Sequence, residues 1–327
     1  MEKTMKIKTL GCLLLMLFCG SVIADHKLSL YVFGDSLTDV GNTSSLTAAS
    51  GFPLPIPPET RYYQGRFTNG PNAADFLWQK IGNRTPVQAV ENFISQQRNI
   101  TSKRSQAVSF AYGGSETGFN NSVLGQFNVT GLLGQVGMFR VMKTNDKTEE
   151  DAMALIWSGG NDYFNQFAKN QPVSSDLVVG KIEQAIVNLY ESGLRHFLVP
   201  NLPDLGNVPI AHIMAGIYAA PNIPNDLTAN TLDHNRKLSN MIKRLKKLPK
   251  IKLYQVDIYS VINTLLTPQL IFPGPAAGCL YGPVANLGTC YAVDFEAGNG
   301  LIFWDETHPT TAVHKVFADA MFDAINR

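Results

Sequence analysis

Ser36 stands in Gly34-Asp35-Ser36-Leu37, directly after an apolar run over residues 28–33, and near the far end of the chain comes Asp305-Glu306-Thr307-His308-Pro309. These residue types can supply a nucleophile, a base and an orienting acid. A serine hydroxyl is a weak nucleophile until a neighbouring base takes its proton. His308 can be that base. Asp305, three residues earlier, can hold the second imidazole nitrogen, fix the tautomer and stabilise the imidazolium. Attack on a carbonyl builds negative charge on its oxygen, so hydrogen-bond donors must already be in place. Phe110-Ala111-Tyr112-Gly113-Gly114 offers backbone N–H groups, and Ser158-Gly159-Gly160-Asn161-Asp162 offers the Asn161 side-chain amide. Either glycine stretch alone is a common turn signal. Asp305 and His308 alone could be a loop carboxylate and a helix-cap histidine. The combination points to acyl transfer through a serine ester, a chemistry that requires no metal and no organic cofactor.

Such residues need strand ends to hold them. Apolar runs predict strands over residues 27–33, 107–112, 152–158, 196–200 and 252–256, most of them short and continuous as in buried parallel strands. Helical periodicity covers 72–81, 175–192, 226–248 and 310–325. The second opens on Ser174 or Ser175 and ends at Gly193; the last opens after Pro309. This alternation predicts a three-layer α/β/α domain with a doubly wound, mostly parallel sheet and ligands at the C-terminal strand ends. Residues 45–70, 201–225 and 267–304 do not fit the alternation and read as long loops, which in a compact domain tend to be functional. Nothing suggests a second folded domain, so one domain is expected over 25–327.

Taken together, the blocks resemble the GDSL (SGNH) hydrolases, secreted esterases and lipases with a flavodoxin-like sheet. The match covers nearly all of the chain beyond its first residues, in the family's order. The resemblance implies Ser36 as nucleophile and, through its own N–H, as an oxyanion donor. It implies Gly114 (or Gly113) and Asn161 as the other donors, and Asp305 and His308 as acid and base. Gly65-Arg66-Phe67-Thr68-Asn69-Gly70 also resembles a segment recurrent in the longer lipase-type members. An α/β-hydrolase shares the order Ser, Asp, His, but its nucleophile elbow needs glycine two residues after the serine, where Thr38 stands here, and its acid and histidine lie on separate loops.

Composition sets the setting. The 327 residues are 45% hydrophobic and 16% charged, enough to bury a large core. Lys3, Lys6 and Lys8 precede a short apolar run to Cys19, and Val22-Ile23-Ala24 has the pattern read by signal peptidase, so residues 1–24 are expected to be a cleaved leader, with a secreted or periplasmic product. That run is about half the roughly 20 apolar residues of a membrane span. Residues 1–24 hold three lysines and one glutamate, so without them the 27 basic and 26 acidic residues become 24 and 25, a balance that argues against a nucleic-acid partner. Cys279 and Cys290 remain and are expected to form one disulfide in an exported protein.

The substrate expectation rests on the inserts. Phe52, Leu54, Ile56, Tyr62, Tyr63, Ile213, Ile217, Tyr218 and Phe272 suit an acyl chain better than a sugar. The resemblance is strongest to bacterial phospholipases A, lysophospholipases A and glycerophospholipid–cholesterol acyltransferases. It implies a monomeric lipid esterase acting on lysophospholipids, with acyl transfer to an alcohol as a side activity. A carbohydrate or small-ester deacetylase on the same fold, and a non-enzymatic binding protein, are the alternatives. Lys243, Arg244, Lys246, Lys247 and Lys250 form a basic helix face, ordinarily a solvated one, that could also attract an anionic lipid surface in a transient membrane contact.

Overall fold

In a computed structural model of the chain, the residues described are 28–100, 105–123, 125–143, 151–265 and 302–327. The expected leader, Cys279, Cys290 and Phe272 lie outside them.

The described residues form eight strands: β1 (Leu30–Gly34), β2 (Gln88–Ala89), β3 (Ala107–Ser109), β4 (Asn120–Val123), β5 (Phe127–Thr130), β6 (Met153–Trp157), β7 (His196–Pro200) and β8 (Lys252–Val256). Ten helices accompany them: α1 (Asn42–Ala49), α2 (Ala73–Lys80), α3 (Val90–Ser95), α4 (Leu132–Met142), α5 (Gly160–Lys169), α6 (Ser175–Glu191), α7 (Pro209–Ile217), α8 (Ile223–Leu245), α9 (Ile258–Leu265) and α10 (Thr311–Asn326). The central sheet is parallel in the order β2-β3-β1-β6-β7-β8. Apart from the two-residue edge strand β2, this is the flavodoxin order, and its direction of winding reverses between β1 and β6. β4 and β5 form a separate antiparallel pair.

All five expected strands and all four expected helices are present, within a few residues of the sequence reading. The reason is visible in β1. Its five residues are all buried, with Tyr31 and Phe33 in one core cluster and Leu30 and Val32 in another, so each face of the sheet is covered and the whole run must be apolar. One layer is built with α4, α6 and α8, which pack on one another; the other is built around α10, which packs on α2 and α9. Tyr31, Phe33 and Phe110 meet Phe139 of α4 on the first face, while Trp157 meets Phe317 of α10 edge-on, ring centres 5.5 Å apart, on the second.

Helix α1 has no apolar stripe, and periodicity does not reveal it. It is held by polar bonds instead. The Asp39 carboxylate accepts the Gly41, Asn42 and Thr43 N–H groups at 2.7 to 3.1 Å. The Asn42 amide, fully buried, donates to the Ser109 and Ala111 carbonyls.

The end of β1 is fixed by a residue far away in sequence. Gly34 donates to Gln135 Oε1 at 2.9 Å, and Gln135 Nε2 donates back to the Gly34 carbonyl at 2.8 Å. Gln135 is fully buried. Gly34 is needed for closeness rather than for a turn: a Cβ there would lie 2.2 Å from the Trp157 carbonyl oxygen. Gln135→Leu leaves the Gly34 N–H buried without an acceptor, and unfolding by denaturant is expected to show a loss of about 2 kcal/mol. An unmoved unfolding midpoint would contradict this account of the strand end.

Candidate active site

Three of the sheet's strand ends converge at the point where the winding reverses. Ser36 follows β1, Gly113 and Gly114 follow β3, and Asn161 follows β6, in the first turn of α5. The loop after residue 302 and the start of α10 bring Asp305 and His308 to the same place. Ser36, Gly114, Asn161 and His308 all line one cavity of about 310 Å³. Ser36, Asn161 and His308 also line a smaller neighbouring cavity of about 50 Å³. Chain ends that are remote in sequence therefore meet, and the reason is topological: open parallel sheets leave a crevice at the C-terminal ends of the strands where their order reverses.

Asp305 is buried and accepts four hydrogen bonds. Its Oδ1 takes the Thr307 and His308 backbone N–H groups at 2.7 and 2.6 Å, and its Oδ2 meets His308 Nδ1 at 2.7 Å and the Tyr62 hydroxyl at 2.8 Å. The three-residue spacing is thus that of a tight turn closed by the acid on its own backbone. Burial pushes Asp305 upward, but the His308 charge and these bonds outweigh it and hold the carboxyl below its ordinary value. Burial likewise pushes His308 down, while the Asp305 charge and bond, then Glu306 and Asp35, leave it above the usual histidine value. Nδ1 is engaged by Asp305, so Nε2 is the nitrogen left to exchange a proton.

The donors are equally defined. Gly113 N–H is engaged internally, donating to Thr43 Oγ1 at 2.7 Å and to Asp39 Oδ2 at 3.0 Å. The Gly114 and Ser36 N–H groups have no acceptor among the described residues. Of the glycine pair, Gly114 is therefore the available donor, and its φ of +79° favours glycine. Asn161 uses one amide hydrogen on the Ser115 carbonyl at 3.0 Å, which fixes the group and leaves the other. Asn161 also sits at the positive end of α5. Asp162 anchors the same helix by accepting from Thr117 N and Thr117 Oγ1 at 2.9 and 2.7 Å, and burial pushes it up to about 6. Two more carboxyls flank the serine and the histidine, Asp35 buried and Glu306 half-buried: burial pushes Asp35 up to about 7, and partial burial with the Asp305 charge pushes Glu306 up to about 7.

The large cavity is mostly apolar. Ile56, Phe127, Phe164, Met214, Ile217 and Tyr218 contribute, drawn from the 45–70 insert, the β4–β5 pair, α5 and the end of α7. The sequence reading names Ile56, Ile217 and Tyr218 as wall residues, but it takes residues 201–225 as a loop where α7 stands, and it misses the β4–β5 pair as a wall element. Tyr62, expected among the acyl-chain walls, is not one of them: the ring is buried and its hydroxyl is turned onto Asp305. The basic cluster is exposed at the C-terminal end of α8, which leads into the start of β8. It therefore lies at the N-terminal edge of the sheet, away from the cavity mouth. Among the described residues, no group of three His, Cys, Asp or Glu side chains could hold a metal, and no helix is long and apolar enough to cross a membrane.

Known proteins resemble this chain over most of its length. The family model described as GDSL-like Lipase/Acylhydrolase matches residues 30–321. An Arabidopsis thaliana GDSL esterase/lipase (At5g03810) is 27% identical, covering 89% of each chain. A phosphatidylcholine-sterol acyltransferase of Aeromonas hydrophila is 24% identical, covering 88% of this chain and 87% of that one. Among solved structures, a member of the lipolytic G-D-S-L family from Veillonella parvula aligns with a TM-score of 0.46 at 13% identity, over 92% of this chain and 99% of that one. An acetylxylan esterase from Geobacillus stearothermophilus aligns with a TM-score of 0.44 at 12% identity, over 92% and 94%.

Proposed function

The chain belongs to the GDSL-like lipase/acylhydrolase family, a family of ester hydrolases, and on that premise we propose that it releases fatty acid from lysophospholipids and phospholipids through an acyl ester on Ser36. Ser36 Oγ attacks the ester carbonyl while His308 Nε2 takes its proton. His308 then returns that proton to the departing alcohol oxygen, and the carbonyl re-forms as the acyl-serine. A water molecule, deprotonated by the same nitrogen, attacks the acyl-serine and frees the acid. Asp305 keeps the imidazole oriented and stabilises its charged form. Ser36 N–H, Gly114 N–H and the free Asn161 amide hydrogen bind the oxyanion.

The observation that carries the lipid reading is the cavity of about 310 Å³ at Ser36, whose walls are mostly aliphatic and aromatic. Apolar walls of this kind favour an acyl chain by burying it from water. Ile217 and Tyr218, exposed at that wall, are the side chains that would meet a lipid surface. The relative named as a phosphatidylcholine-sterol acyltransferase supports acyl transfer to an alcohol that outcompetes water. In this reading the chain is exported and works as a monomer. The test is product identification on a panel holding lysophosphatidylcholine, phosphatidylcholine and acetylated xylose. Fatty-acid release from the lipids is expected to exceed acetate release in kcat/KM by at least about a hundredfold, the value of a few well-filled apolar contacts. A preference for acetate would replace this reading with a carbohydrate deacetylase.

A further inference from the structure

The Gly65-to-Gly70 segment and the tyrosine before it take no part in the steps above, yet they touch the acid–base pair. We propose that Tyr62 is a positioning residue for that pair, acting through Asp305 to set how strongly the carboxylate holds His308; this rests on the roles of Asp305 and His308 given above. The Tyr62 hydroxyl and His308 Nδ1 meet the same oxygen, Asp305 Oδ2, at 2.8 and 2.7 Å. Two donors on one oxygen divide its charge, so the phenol tempers the pull on the imidazole while locking the carboxylate plane. Burial first, then the Asp305 charge and bond, hold the phenol well above its ordinary value, so it stays a donor wherever His308 titrates.

The segment is built to keep this contact. The Pro58 carbonyl accepts the Arg61 and Tyr62 N–H groups at 3.0 and 3.1 Å, and the Trp304 indole donates to the Arg61 carbonyl at 3.2 Å. Phe67 packs on Tyr62, ring centres 6.4 Å apart, and lies tilted on the His308 ring at 5.0 Å. Thr68 Oγ1 donates to the Pro309 carbonyl at 2.8 Å, and Asn69 Oδ1 accepts the Thr311 N–H at 2.8 Å. Arg66 fastens the whole to α2 by two bonds to Asp75, at 2.6 and 2.8 Å. One stretch of chain thus grips the acid, the imidazole ring and the backbone after it.

The test uses the full chain and a soluble p-nitrophenyl ester, with kcat, KM, the pH profile of kcat/KM and thermal melting all measured. The charges acting on His308 are Asp305, Glu306 and Asp35, with buried His314 close by; those on Tyr62 are Asp305, Glu306 and Arg61. Tyr62→Phe keeps the ring and removes the donor. It is expected to lower kcat about tenfold with KM within about twofold, and to move the acid limb up by about half a pH unit as the imidazolium gains charge from Oδ2. In an Asp305→Asn background the same change should alter kcat by less than about twofold, because the shared partner is gone. An unaltered rate and limb in Tyr62→Phe, or a loss that multiplies fully with that of Asp305→Asn, overturns the proposal. If Tyr62→Phe does not fold, 3-fluorotyrosine at position 62, a stronger donor, should move the limb down, and a stationary limb is then the refuting result. Wild-type rates in Ser36→Ala or Asp305→Asn would instead refute the acyl-transfer reading itself. Impairment of those two with an unimpaired Tyr62→Phe refutes the Tyr62 proposal alone.

Discussion

Replacing Ser36 with alanine is expected to lower kcat for ester hydrolysis by about 10⁶-fold, the loss seen when a serine nucleophile is removed from a preorganised site. One oxygen is lost and the Cβ is kept, so the change leaves no cavity of consequence, and the melting temperature should stay within about 1 °C. The measurement is turnover of lipid and p-nitrophenyl esters beside thermal unfolding of the same preparation. Retained turnover would remove Ser36 from the reaction. A collapse in stability would mean instead that the hydroxyl serves the turn after β1.

Asp305→Asn should be the next most damaging change, about 10⁴-fold in kcat. An asparagine has nearly the same shape, so the backbone bonds from Thr307 and His308 can persist through its carbonyl oxygen. What changes is the partner of His308 Nδ1, at 2.7 Å in the native chain. An amide in that place carries no charge to stabilise imidazolium and can present a donor where an acceptor is required. The pH profile supplies an independent check. Burial alone would hold His308 below the ordinary histidine value, and it is Asp305 that raises it. Activity needs neutral His308, so the native enzyme loses activity as pH falls through the raised value. Without the Asp305 charge the imidazole titrates lower, and the acid limb should move to lower pH even as the plateau drops. A limb that stays in place would assign it to a different group; Glu306 and Asp35, both pushed up to about 7, are the neighbours to examine.

The parts of the site legible in the sequence are those whose chemistry is unusual for their local setting. An Asp three residues before a His, a serine after a buried strand and two glycine turns after further strands are each weak, yet each has a position that a parallel sheet makes meaningful. The sheet itself was legible because strands buried on both faces must be continuous apolar runs, as Leu30 to Phe33 is. What escaped was of two kinds: short helices such as α4, α7 and α9, whose 8 to 11 residues give too few turns for a period to stand out although they pack apolar side chains, and structure held by polar bonds. Helix α1 presents buried Asn42, Thr43, Ser44 and Thr47, and it is fixed by Asp39 rather than by an apolar stripe. The two-residue β2 and the β4–β5 pair carry too few apolar positions to show a period. The choice between Gly113 and Gly114 could not be made from spacing, because it depends on which N–H is already engaged, and Thr43 and Asp39 engage that of Gly113.

By itself, the sequence determined the kinds of groups available, the strands that would carry them and the order in which those strands appear, since burial and local propensity act on neighbours along the chain. Only the tertiary structure decided which groups meet. The pairing of β1 with both β3 and β6 brings the donors beside Ser36, and a buried tyrosine hydroxyl binds Asp305 from 243 residues away. Contacts of that span depend on how the chain crosses the sheet, and no local pattern of residue types encodes which side chains the crossing will place within hydrogen-bond distance.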